Sequence, residues 1–199
     1  MLMIDELDEN YWSQKYQNQH TEWDMGHVSP PIQFYIEQIT NKNLTILIPG
    51  SGNAYEASFL YKKGFENTFI LDISSEPLHK FKNNNPEFPE NQVLHQDFFL
   101  FEGLFDLILE QTFFCALHPN LRPQYVEKML SLLRSGGKLV GVLFDDPLFH
   151  DHPPFGGNKE EYLAYFQPFF KIITFERCYN SIAARQNREL FMILQLPKT

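Results

Sequence analysis

Gly50-Ser51-Gly52 interrupts the apolar run Ile46-Leu47-Ile48-Pro49 and leads at once into the helix-forming residues from Tyr55 onward. An apolar strand that breaks into Gly-x-Gly and then a helix is how an α/β sheet opens a nucleotide or nucleoside site. Glycine accepts φ > 0 and leaves no Cβ in the ligand's path, and the free N–H groups of the helix start point into the same space. Asp72 stands about 20 residues beyond these glycines, at the end of the next apolar run, Thr68-Phe69-Ile70-Leu71. A dinucleotide fingerprint places its ribose-binding acid at that spacing, so a ribose held between the first two strands fits. A ligand-free tight turn is the plain alternative for the glycines alone.

The third glycine of that fingerprint is missing. Tyr55 stands in its place with acidic Glu56 beside it, a poor surround for two phosphates, and no Gly-Lys-Ser/Thr follows to make a P-loop. A ligand with a ribose and no phosphate fits better, and S-adenosylmethionine is the common one.

The elements that position these residues alternate along the chain. Strand-like runs at 44–48, 68–72, 92–95, 105–110 and 138–144 are separated by helical segments at 55–63, 75–81 and 122–133. Gly64 reads as the C-cap of the first of these helices, and Ser135-Gly136-Gly137 as the close of the last. Such alternation predicts a doubly wound, mostly parallel sheet with right-handed crossovers. Residues 169–177 and 189–196 are extended runs joined by a polar connector, predicting an antiparallel hairpin that completes a seven-stranded sheet. Helices at 11–19 and 31–39 frame a loop over 21–30. The expectation is a single domain over 1–199, with residues 1–40 as a helical cover over the ligand site.

The charge of −9 argues against a nucleic-acid groove, which needs a clustered Lys/Arg face. Aromatic residues reach 16%, enough for some to line a pocket while most fill the core. Two cysteines, Cys115 and Cys178, cannot form a disulfide framework; no leader is read before Asp5-Glu6, and no apolar stretch is long enough to span a membrane. The expectation is a cytoplasmic protein with a small-molecule partner, no nucleic acid and no membrane. Oligomeric state is left open, a monomer being compatible.

Several further motifs resemble the thiopurine, thiol and halide S-methyltransferases of the class I S-adenosylmethionine-dependent fold. They are Trp12 and Tyr16 with Thr21-Glu22-Trp23-Asp24-Met25-Gly26, then Ile48-Pro49-Gly50-Ser51-Gly52, Leu71-Asp72-Ile73-Ser74, Gln96-Asp97-Phe98-Phe99, Phe105-Asp106-Leu107-Ile108 and Thr112-Phe113-Phe114-Cys115-Ala116. Their order and spacing run from residue 11 to about 155, and the Thr-Phe-Phe-Cys-Ala run is more specific than the glycines. The sequence departs from the family at Ser51 (usually Cys), Ala54 (Gly), Glu56 (Asp) and Glu110-Gln111 (Asp-Tyr or Glu-Tyr). These departures bear on affinity and rate more than on the cofactor.

The resemblance implies a cofactor, S-adenosylmethionine, with S-adenosylhomocysteine as product and no metal. It places Trp12, Tyr16 and Trp23 over the methionine end, where aromatic faces stabilise a sulfonium cation. Gly50 and Gly52 let the chain pass under the homocysteine part. Asp72 accepts the ribose hydroxyls, Ile73 lies against the adenine, and Asp97 and the Phe98 amide read its edge. Glu110 and Gln111 sit at the mouth where donor and acceptor meet. The plain alternatives are a hydrophobic lid for the aromatics, a cap or solvated strand end for Asp72, and a strand-ending acid before core phenylalanines for Asp97.

The methyl acceptor implied is a small soft nucleophile: a thiol, thiopurine, hydrosulfide or halide. Asp145, His150 and Phe155 are the acceptor-pocket candidates, in a Pro-Pro-aromatic segment that follows the fifth strand and borders this pocket in the family. A solvated loop is the alternative for His150 and His152, a packed core thiol is the reading for Cys115, and Arg185 and Arg188 either anchor an acidic acceptor or belong to a solvated loop. Two rival functions share the scaffold: a non-catalytic S-adenosylmethionine-binding module and a nucleotide-binding oxidoreductase.

Overall fold

A computed structural model describes residues 7–198. Residues 1–6, the start of the expected cover, lie outside the described residues.

Seven strands form one sheet in the order β3-β2-β1-β4-β5-β7-β6. The strands are β1 (Ile46–Pro49), β2 (Thr68–Asp72), β3 (Val93–His95), β4 (Phe105–Gln111), β5 (Leu133–Phe144), β6 (Lys171–Arg177) and β7 (Glu189–Gln195). The first five run parallel, and β7 joins β5 and β6 antiparallel, so the doubly wound sheet with its edge hairpin is as expected.

Both sheet faces are covered, which is why the central strands are continuously apolar. Side chains alternate across the pleat. Ile46 and Ile48 of β1 pack with α2 (Pro30–Glu37), α3 (Tyr55–Lys62) and α4 (Ser75–Asn84) on one face. Leu47 faces the other way, into a core with α5 (Arg122–Leu132) and α6 (Lys159–Phe166). Burying each such aliphatic side chain contributes about 1.5–3 kcal/mol.

Two local expectations are corrected. Ser135-Gly136-Gly137 does not close a helix before a strand at 138; β5 begins directly at Leu133, with Gly136 at φ +76 and a register shift against β4 between Phe105 and Leu107. The irregularity lets one strand take up the left-handed glycine without ending. Helix α6 had no counterpart in the sequence reading. Its start is fixed by Asn158, whose side chain accepts the Glu161 N–H at 2.9 Å.

Strand order reverses between β1 and β4, so the loops after these strands separate and leave a crevice at their carboxyl ends. Helix α1 (Glu9–Gln17) lies beside it, docked on α4 and β3 by polar contacts: Ser13 to Ser74 at 2.9 Å, Gln17 to Glu76 at 2.8 Å and Glu9 to His95 at 2.9 Å. No residue of α1 is buried.

Candidate active site

The crevice is a cavity of about 1020 Å³. At its centre Gly50 and Gly52, at φ +56 and +51, turn the chain out of β1. A Cβ on Gly50 would stand 2.2 Å from the Phe113 ring, and one on Gly52 would stand 2.9 Å from the Tyr16 hydroxyl. These positions need glycine for intramolecular closeness as well as for backbone angle. Ala54, a family departure, holds φ +52 at the start of α3.

Asp72 ends β2 and is 7% exposed, not a solvated strand end. Its Oδ2 accepts the Gly52 amide at 2.8 Å and its Oδ1 the Ser74 amide at 2.9 Å, so the carboxylate ties the glycine turn to the start of α4. Burial pushes this carboxyl up to about 6, against the pull of those two amides. The other nucleoside-side candidates, Ile73, Asp97 and Phe98, line the same cavity. Asp97 also accepts the Phe99 amide at 2.8 Å, shaping the turn after β3.

Trp12, Tyr16 and Trp23 form one aromatic group. Trp23 meets Trp12 edge-on at 5.7 Å and Tyr16 at 5.8 Å. All three are half-buried, outside both apolar cores, and line the cavity. Burial, reinforced by the charge of Asp72, raises the Tyr16 phenol and keeps it protonated. The loop carrying Trp23 is pinned at both ends of its turn. Asp24 accepts from Asn53 at 2.6 Å and from the Tyr55 hydroxyl at 3.2 Å, and the Trp23 carbonyl accepts from Arg185 at 2.6 Å.

Arg185 and Glu189 form a buried ion pair at 3.3 Å, so Arg185 is no solvated loop residue. No local pattern marks this contact between the C-terminal connector and the Trp23 loop, because the two residues are 162 apart in the chain.

Four expected site residues lie off the cavity. Glu110 is fully buried and points the other way: its carboxylate accepts the Phe113 amide at 2.9 Å, the Phe114 amide at 3.1 Å and the Tyr125 hydroxyl at 2.8 Å. It holds the turn that begins at Thr112, at φ +60, and burial pushes it up to about 7. Asp145 is occupied by the Arg177 guanidinium and the Lys159 amide. Phe155 is packed at 1% exposure, and His150 is an exposed loop residue outside the lining. Their neighbours Phe149, His152, Pro153 and Pro154 line the cavity instead, on one wall with Leu117, His118 and Leu121. Cys115 is a buried thiol pushed up to about 12 by burial, as its reading as a core thiol requires. Among the described residues no group of three His, Cys, Asp or Glu side chains could hold a metal ion.

The polar atoms left over on the wall show what kind of ligand fits. Ser51 Oγ, Asn53 Oδ1 and both amide atoms of Gln111 are sealed from solvent without a protein partner, and all three residues line the cavity. Buried polar groups are rarely left unpaired. With Asp72 and the aromatic group these residues surround one cavity. The thiopurine S-methyltransferase family model matches residues 7–193. The chain belongs to this family. It is therefore an S-adenosylmethionine-dependent methyltransferase, which sets aside the oxidoreductase and the non-catalytic module. Among relatives of the family, "Probable thiol methyltransferase 2" of Arabidopsis thaliana is 29% identical over 165 residues, 80% of this chain and 73% of that protein. "Thiocyanate methyltransferase 1" of Brassica oleracea is 26% identical over 191 residues, 92% and 83% of the two chains. The fold is similar to that of the Burkholderia thailandensis 1,6-didemethyltoxoflavin-N1-methyltransferase, with TM-score 0.78 and 14% identity over 100% of this chain and 92% of that one.

Proposed function

We propose that the cavity holds S-adenosylmethionine with its ribose at Asp72, its adenine between Ile73 and Phe98 with Asp97 at the edge, and its methionine end beneath Trp12, Tyr16 and Trp23. Gln111 offers an amide N–H and a carbonyl to the amino-acid end or to the reacting centre, and Ser51 and Asn53 supply further polar contacts. When bound, the cofactor supplies an electrophilic methyl group on a sulfonium.

The acceptor under this reading is a small, soft nucleophile such as a thiol, hydrosulfide or halide. The observation that carries it is the far wall, where Leu117, Leu121, Phe149, Pro153 and Pro154 are apolar and the two lining arginines, Arg185 and Arg188, are already paired with Glu189 and Asp146. Such a wall strips water from a weakly hydrated nucleophile and aligns it, which is most of what an in-line methyl transfer requires. Two candidate bases are unavailable: Asp145 is tied to Arg177, and Cys115 is held protonated. An acceptor that arrives as an anion suits this site. "Thiol" and "thiocyanate" in the relatives' names point the same way.

Two buried free cysteines suit a reducing cytoplasm. No described helix is long and apolar enough to cross a membrane. Mass spectrometry of the products formed from S-adenosylmethionine with iodide, hydrosulfide, small thiols and thiopurines tests the acceptor class. Methylation of oxygen, protein or nucleic-acid acceptors alone would refute it.

A further inference from the structure

His118 carries no signal in the sequence, yet it is 2% exposed and belongs to the wall that carries the Pro-Pro segment. It caps the short turn Pro119–Leu121: Nδ1 accepts the Asn120 amide at 3.2 Å. An Nδ1 that accepts leaves the proton of the neutral ring on Nε2. The ring is held edge-on to Phe155 at 5.6 Å, so it cannot turn freely. No hydrogen bond occupies Nε2 among the described residues, and His118 lines the cavity.

The other charged or ring-nitrogen side chains on this wall are held by protein contacts. Arg188 pairs with Asp146, Arg185 with Glu189 and the Trp23 carbonyl, and His152 stacks on Phe149 at 4.1 Å with Nδ1 against its neighbour's carbonyl. We propose that the Nε2–H of His118 is the hydrogen-bond donor that binds the anionic acceptor on this wall. The inference rests on the methyltransferase reading of the site and adds the residue that recognises the acceptor's charge. A neutral donor in an apolar wall holds a soft anion without the strong ion pair that would blunt its nucleophilicity. The turn cap and the Phe155 contact fix where that donor points.

The test is calorimetric titration of sodium iodide into protein saturated with S-adenosylhomocysteine, for the parent, His118→Asn and His118→Gln. Asparagine keeps an acceptor for the Asn120 amide but is too short to reach the cavity; glutamine restores an N–H at longer reach. Iodide affinity should fall roughly ten- to a hundredfold in His118→Asn, the range for a hydrogen bond to a charged group, and recover in His118→Gln. Melting temperature and S-adenosylhomocysteine affinity should stay at the parent's values, and in turnover the KM for iodide should rise while that for S-adenosylmethionine does not. Unchanged iodide affinity in His118→Asn, no iodide binding by the parent, or a parallel loss of cofactor affinity and stability would each overturn the proposal. A parent that binds iodide through His118 but forms no iodomethane would instead refute iodide as a substrate and leave the donor in place.

Discussion

Gly52 donates its backbone N–H to Asp72 at 2.8 Å, so the two ends of the sequence pattern that first suggested a ribose site are bonded to each other. The same carboxylate caps Ser74. Asp72 therefore has a structural as well as a binding role, and Asp72→Ala should show both. Leaving the two amides unsatisfied should cost about 1–3 kcal/mol of stability. Cofactor affinity should fall at least tenfold. Chemical denaturation and calorimetry on one preparation separate the effects; a variant that loses stability but binds as the parent does would remove Asp72 from the ribose.

Burial holds the Asp72 carboxyl up at about 6 in the free protein, and only its ionised form can accept both ribose hydroxyls. Below that pH the carboxyl must lose its proton on binding, so affinity should rise from pH 5 to pH 7 and then level off. Titrations at pH 5 in buffers of different ionisation enthalpy should show proton release. Proton uptake, or affinity that falls over this interval, would contradict the assignment.

Glu110 gives a second pH effect of known sign. Its folded-state value of about 7 lies above the ordinary 4.5. Its contribution is therefore full below about 4.5 and is lost as pH rises through 7. Glu110→Gln should flatten the fall of stability across that window, while retaining an acceptor for the Phe113 and Phe114 amides. Denaturant midpoints from pH 4.5 to 8 measure it.

Arg185→Ala should be among the most damaging substitutions away from the cofactor. It strands Glu189, 3% exposed, without its partner and frees the Trp23 carbonyl. Breaking one side of a buried pair costs about 3–5 kcal/mol. Pairing it with Glu189→Gln should recover much of the stability but not the placement of the Trp23 loop, so cofactor affinity should stay low. Full recovery of affinity in the double variant would show that the tether does not hold the cover.

The parallel order of the sheet was legible because buried strands and crossover helices differ in period, and Gly50, Gly52, Asp72, Ile73, Asp97, Phe98 and Gln111 line one cavity because each sits at or just after a strand end. Trp12, Tyr16 and Trp23 reach the same cavity from α1 and the loop after it. The acceptor half of the site was not legible. After β5 the chain leaves regular structure, and no period says which side chain faces inward, so Phe155 and His150 were chosen where Pro154 and His152 form the wall. Glu110 misled for the opposite reason: alternation in β4 sends it to the far side of the strand from Gln111. Helix α6 did leave a trace, since Asn158 with Glu161 three residues on is a capping signature. The link from Arg185 to Trp23 left none, being purely tertiary.

The central claim is methyl transfer from S-adenosylmethionine to a small soft nucleophile, and it is tested most directly by following product with iodide and with a simple thiol across pH 6–9. Iodide is already anionic and should give iodomethane at a nearly constant rate, whereas the thiol rate should climb as thiolate forms. Parallel pH profiles for the two acceptors would contradict an account in which the protein supplies no base, and the absence of any methylated sulfur or halide product, with robust methylation of an oxygen acceptor, would contradict the claim itself.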